Sequence, residues 1–178
     1  LESDSLVAQE ISAPAAETAP VMPPLPVISV VTEVEDELLD IFLEEAREVV
    51  GNGLAAVQLL EAEPGNLSEQ TTLRRAFHTL KGSSRMVGLN DFGEAAWSME
   101  QVLNAWLAEQ KPMQPTLLQL SSDCLQAFDR WADDIAAGAA SAWSPEAFCK
   151  SADAMRLDGS LLPLVVPGAA VASVAPDV

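Results

Sequence analysis

The chain has 178 residues, of which 27 are Asp or Glu and nine are Lys or Arg, giving a net charge of −18, and it contains a single histidine. So large a negative surplus excludes a nucleic-acid binder, which needs a basic footprint against phosphates, and no run approaches the roughly 18 apolar residues that a membrane span requires. Hydrophobic residues at 49% supply the core of one ordinary domain plus tails.

Residues 1 to about 31 hold Pro14, Pro20, Pro23, Pro24 and Pro26 among Ala, Ser and Glu, a composition that builds no core and reads as a disordered linker. The stretch lacks the cationic start and apolar centre of a signal peptide. Opening on Leu1 rather than Met, the chain reads as a piece excised from something longer. Thr32-Glu33-Val34-Glu35 is a capping box and predicts a first helix carrying Leu38, Ile41, Phe42, Val49, Val57 and Leu60. Gly51 and Gly53 weaken it midway, where a kink or break is expected, and Pro64-Gly65-Asn66 ends it.

A second helix is predicted from Ser68 as N-cap to about Val87, with Gly88 as its stop. Asp91-Phe92-Gly93-Glu94 is another capping box and opens a third helix with Phe92, Ala95, Met99, Val102, Leu103 and Trp106 on one face. Pro112 and Pro115 interrupt the pattern. A fourth helix then carries Leu117, Ser121, Cys124, Phe128, Trp131 and Ile135. Ser144-Pro145-Glu146 opens a short fifth helix bearing Phe148, Ala152 and Met155. From Asp158 onward Pro163, Pro167 and Pro176 return among Ala and Val, so residues 158–178 read as a second disordered linker.

No strand pattern, hairpin or repeat occurs. Amphipathic helices with short connections bury their stripes most simply as an all-α, antiparallel up-down four-helix bundle over residues 32–157, the fifth helix capping one end. Cys124 and Cys149 form neither a metal spacing nor a disulfide framework and read as reduced thiols in a reducing compartment.

The one histidine, His78, does not share the apolar stripe of its helix. At about 100° per residue, Phe77, Leu80, Ser84 and Val87 point one way and His78 nearly the other. Four of the nine cations, Arg74, Arg75, Lys81 and Arg85, cluster around it, a positive island that suits a doubly charged phosphoryl group. Gly82, one turn later on the same face, costs a helix about 1 kcal/mol relative to alanine and would give a phosphoryl group or a partner loop clearance. Other readings stay open at this point: a solvated surface histidine, cations paired with acids one turn away, or a glycine at a tight helix contact.

The run His78-Thr-Leu-Lys81-Gly82-Ser-Ser84-Arg-Met-Val-Gly88 resembles the signature of histidine phosphotransfer (HPt) domains, and is most similar to the chemotaxis-kinase type. Ser98-Met99-Glu100-Gln101-Val102-Leu103 resembles the following helix of that family. The likeness covers about residues 33 to 138. It implies His78 as phosphoryl acceptor, with Lys81, Gly82, Ser84 and Glu100 supporting the site and Arg74, Arg75 and Arg85 serving attraction and docking. Glu100, at the edge of the third helix's apolar face, can reach a neighbouring helix; accepting Nδ1–H from His78 would leave Nε2 free to attack. Trp97 stands where chemotaxis kinases often carry a second histidine, which implies a reduced hydrogen-bond network.

The chain has neither a P-loop nor the glycine-rich boxes of a kinase ATP site, so Mg²⁺ and ATP are expected on partner domains and no cofactor here. One histidine without a Glu-x-x-His pair supplies no metal site, and no serine or cysteine has a base other than His78. The expected partners are a response-regulator receiver domain and a histidine-kinase catalytic domain, in the cytoplasm, without nucleic acid or membrane insertion. The resemblance implies as parent a hybrid chemotaxis-type kinase with several such domains, governing pilus motility. The alternative is a helical docking or dimerisation module in which phosphotransfer is lost and His78 is incidental.

Overall fold

The computed structural model describes residues 27–168, with side chains from Val31 onward, so most of the expected N-terminal linker lies outside the described residues. Five α-helices follow in order, α1 (Val27–Ala62), α2 (Leu67–Met86), α3 (Asn90–Ala108), α4 (Pro115–Ala136) and α5 (Glu146–Asp158), with a 3₁₀ turn at Ala140–Ala142. No strand occurs among the described residues.

Helix ends are where local chemistry and the expectations part. α1 starts five residues before the Thr32 box, running back to the residue after Pro26, the nearest helix breaker. It stays continuous through Gly51 and Gly53. Gly53 has a packing reason instead: a Cβ there would lie 2.9 Å from Leu125 of α4 and 3.2 Å from Ala76 of α2, so the glycine lets three helices close on one another. The cap of α2 is Asn66 rather than Ser68; its side chain accepts from the N–H groups of Ser68 (3.1 Å) and Glu69 (3.2 Å). At the other end Gly88 takes φ 78°, and the Gly88 and Leu89 N–H groups bond the carbonyls of Arg85 and Ser84, the paired closure that a left-handed residue permits. Asp91 lies within the first turn of α3 rather than at its cap, which is Leu89 with no side-chain bond.

α1 packs between α2 and α4, and α2 packs on α3. Contacts such as Arg47 to Asp133 and Gly53 to Leu125 place α1 and α4 antiparallel, as the up-down reading requires. α5 does not cap an end. It lies along α3 and touches α4, filling the side where the α3 and α4 backbones diverge. The interior there is aromatic: Phe92 meets Phe128 at 4.6 Å between centroids, Phe128 stacks on Phe148 at 4.9 Å, and Trp131 stacks on Trp143 at 5.1 Å. Burying such rings dominates a small core, each contributing on the order of 2–3 kcal/mol by area alone.

Two expectations about core and tail are corrected. Leu38 and Ile41, assigned to the buried stripe of α1, are exposed, because the buried stripe runs through Phe42, Leu43, Ala46 and Val50 and the bundle thins out beyond it. The C-terminal segment follows the bundle further than its prolines suggest. Leu161, Leu164 and Val166 pack against the core and the Pro167 carbonyl accepts from Arg130 Nη2 at 2.7 Å; only residues 169–178 lie outside the described residues.

Candidate functional site

α2 and α3 lie side by side, and at mid-length the exposed flank of one meets the edge of the other's apolar face. His78 projects from α2 with its side chain 57% exposed, while Glu100 comes from α3 with its side chain almost fully buried. His78 Nδ1 lies 2.7 Å from Glu100 Oε1, and Lys81 Nζ donates to Glu100 Oε2 at 2.7 Å. Arg74 Nη1 stands 3.9 Å from the same Oε1. A carboxylate nearly removed from water is thus held by two helical turns of cations from the neighbouring helix.

Burial by itself pushes the Glu100 carboxyl up. The hydrogen bonds from Lys81 and then His78, with their charges behind them, outweigh that penalty and hold it below its ordinary value. Glu100 is therefore ionised and can only accept, so His78 Nδ1 must be the donor. Lys81 Nζ also approaches Nδ1 at 3.4 Å, but an ammonium cannot bond a nitrogen that already carries a proton. The Lys81–Glu100 bond is the operative one. In the uncharged ring this bond puts the proton on Nδ1 and leaves Nε2 with its lone pair, the arrangement of a nucleophilic imidazole.

The remaining residues named from the sequence divide. A Cβ at Gly82 would meet nothing within 4 Å, so this glycine borders open space and no helix contact demands it. Ser84 is not brought to the imidazole: it is fully buried and its hydroxyl donates to the Lys81 carbonyl at 3.1 Å. Arg74 and Lys81 converge on Glu100, whereas Arg75 turns into the α1–α2 groove beside Val49 and Asn52. Arg85 lies on the α3 side, in a shallow groove with Asn90, Glu94 and Trp97. Neither Arg75 nor Arg85 forms an ion pair among the described residues, so the histidine is flanked on both sides by unspent cations. Trp97, on α3 one turn before Glu100, is half exposed.

The sequence reading missed Gly93. A Cβ there would come within 2.8 Å of Arg85 Cγ and 3.0 Å of Ser84 Oγ, so Gly93 is the close-approach glycine that lets α3 sit against the site end of α2. The only signal in the sequence is a glycine in the first turn of a helix, and its contact with α2 depends on how the two helices pack. Cys124 is fully buried and its thiol pushed far up by burial, which leaves it inert. Among the described residues no cluster of three or more His, Cys, Asp or Glu gathers as a metal site. No helix among them is long and apolar enough to cross a membrane.

Comparison with known proteins falls on the same helices. The family model described as Hpt domain matches residues 37–137. A 70-residue stretch is 34% identical to the chemotaxis protein CheA of Bacillus subtilis (strain 168), covering 39% of this chain and 10% of that protein. No solved structure matches the chain.

Proposed function

Because the chain belongs to the Hpt domain family, the histidine phosphotransfer modules of two-component signalling, we propose that His78 is its phosphoryl acceptor and that it relays phosphoryl groups between a histidine-kinase catalytic domain and the aspartate of a receiver domain. Nε2 attacks phosphorus in line. A new N–P bond forms while the bond from phosphorus to the leaving oxygen breaks, that oxygen being the β–γ bridge of ATP or a carboxylate oxygen of the aspartyl phosphate, and the bonding pair leaves with it. The ring becomes cationic as the lone pair is used, and the Glu100 carboxylate on Nδ1–H balances that charge. Reversal of the same step hands the group to a receiver aspartate. The partner domain supplies Mg²⁺, and the kinase supplies ATP.

The observation that carries this reading is the 2.7 Å Nδ1–Glu100 bond beneath a ring that is more than half open to solvent. A buried histidine would be out of reach, and an exposed one without a carboxylate would sample both tautomers. In support, Lys81 and Arg74 bring positive charge to the place a phosphoryl group would occupy, Arg75 and Arg85 flank it, and Gly82 leaves the approach clear. The role follows for a carrier rather than an enzyme acting alone, in the cytoplasm where kinase and receiver work, within a parent of the hybrid chemotaxis-kinase kind.

The test is transfer from a receiver domain phosphorylated on its aspartate. Wild type should yield an acid-labile, alkali-stable adduct, and His78→Gln should abolish it with helical circular dichroism unchanged. An adduct that survives in the variant moves the acceptor elsewhere; no adduct in wild type with any donor favours the docking-module alternative.

A further inference from the structure

A second surface lies at the C-terminal end of α2, about two turns beyond the histidine. α2 stops at Met86, but α1 continues past it, and the flank of α1 that faced α2 stays apolar. Val31, Val34, Leu38 and Ile41 recur at i, i+3, i+7 and i+10, which at about 100° per residue confines them to one arc of roughly 80°. All four are 48–62% exposed. Leu38 and Leu39 line a groove with Met86, Val87 and Leu89 from the end of α2, and Met86 is 86% exposed. A row of large apolar side chains beside an open methionine is an unusual surface for a soluble domain.

The rim of this groove is acidic where Glu35 and Asp36 line it, and at about 100° per residue Glu35 and Glu37 border the apolar arc on its two sides. They belong to a stretch from Glu33 to Glu45 that holds seven carboxylates, with no cation before Arg47. None of these carboxylates forms an ion pair among the described residues. Charge then selects the occupant. Residues 1–26 contain no Lys or Arg and add Glu2, Asp4, Glu10 and Glu17; residues 169–178 add only Asp177. The chain's own ends would therefore bring further negative charge or none to offset it. A second copy would lay the same carboxylates against the same rim. Neither is complementary, whereas a cationic helix is.

We propose that this groove docks a basic amphipathic helix of a partner protein, its apolar face on Val34, Leu38, Ile41 and Met86 and its Lys or Arg residues against the acidic rim. The row spans about 15 Å at 1.5 Å per residue, so roughly three turns of partner helix cover it. The site is separate from His78 and does not depend on the phosphotransfer reading.

The test uses the whole chain and a defined probe. One labelled peptide of leucine and lysine has leucines at i, i+3, i+4 and i+7; a second has the same residues scrambled so that no apolar face forms. By fluorescence anisotropy at physiological salt, the amphipathic peptide should bind at least about tenfold more tightly than the scrambled one. Leu38→Ser with Ile41→Ser should remove that preference while helical circular dichroism stays unchanged, both side chains lying outside the core. Glu35→Gln with Glu37→Gln should weaken binding and flatten its salt dependence. Equal affinity for the two peptides would reduce the effect to net charge and overturn the proposal, as would a double serine variant that binds like wild type. Concentration-dependent self-association abolished by the same serine pair would overturn it in favour of a second copy.

Discussion

Phe128 is ringed by Phe77, Phe92, Phe148 and Trp131 at centroid separations of 4.6–6.3 Å. His78, on the neighbouring face, bonds one carboxylate and leaves half its surface to water. The first region fixes where helices lie and the second fixes which nitrogen carries a proton. The contrast teaches that the site borrows its precision. Glu100 reaches Nδ1 because α3 is pinned by Phe92, Ala95, Met99 and Leu103, all of them buried, and the imidazole needs no wall of its own.

Breaking the aromatic side should have the largest effect. Phe128→Ala should lower stability by about 3–5 kcal/mol, the usual range for emptying an aromatic site, read as a fall in the denaturant midpoint, with transfer lost only as the fold is lost. A loss well under 1 kcal/mol would mean that the rings are not what aligns α3. Glu100→Gln acts on the other side. Phosphotransfer should fall by about 10- to 100-fold, the equivalent of the roughly 1.5–3 kcal/mol that a hydrogen bond to a charged group contributes, while the bundle stays folded. Unchanged transfer would show that the tautomer is not set by Glu100.

Two glycines sharpen the comparison at smaller scale, since one sits on packed ground and one on open ground. Gly93→Ala should cost about 1 kcal/mol net, because pushing Arg85 and Ser84 aside costs about 1–3 kcal/mol and removing a helical glycine returns about 1. Gly82→Ala, with nothing within 4 Å, should gain up to about 1 kcal/mol. Gly82→Leu should keep that stability and still impair transfer. If Gly82→Leu transfers like wild type, clearance is not the reason for the glycine.

What was legible in the sequence follows the same division. The helices, their order and the outward turn of His78 could be read because they depend on spacing along one chain segment, and Lys81 one turn away belongs to the same arithmetic. Glu100 was reached through the edge of an apolar stripe aided by family resemblance. Features set by a second helix were not legible. Leu38 and Ile41 look like core until α2 is seen to stop at Met86. The spacing of Ser84 does not show that its hydroxyl bonds the Lys81 carbonyl. Trp143, which stacks on Trp131 and donates to Asp134 at 2.6 Å, lay in a stretch with no periodicity to flag it. Asn66 and Ser68 are both good caps by composition, and only backbone geometry chose Asn66.

The smallest effect concerns pH, and its sign separates the two regions without any bulky substitution. The Glu100 carboxyl is held below its ordinary value once burial is outweighed by the Lys81 and His78 bonds. A carboxyl depressed in the folded state binds fewer protons there than in the unfolded chain, so it contributes stability at pH values above its ordinary value of 4.5 and loses that contribution as pH falls through the folded value. Acidification also relieves the repulsion of a chain at −18, which works in the opposite sense and obscures the raw curve. The stability difference between wild type and Glu100→Gln removes that common background. This difference should be larger at pH 6 than at pH 3, whereas the difference between wild type and Phe128→Ala should hardly change, because the substitution removes no titrating group. Equal Glu100→Gln differences at both pH values would mean that the carboxylate gains nothing from its cations, and the proton on Nδ1 would then have no fixed owner.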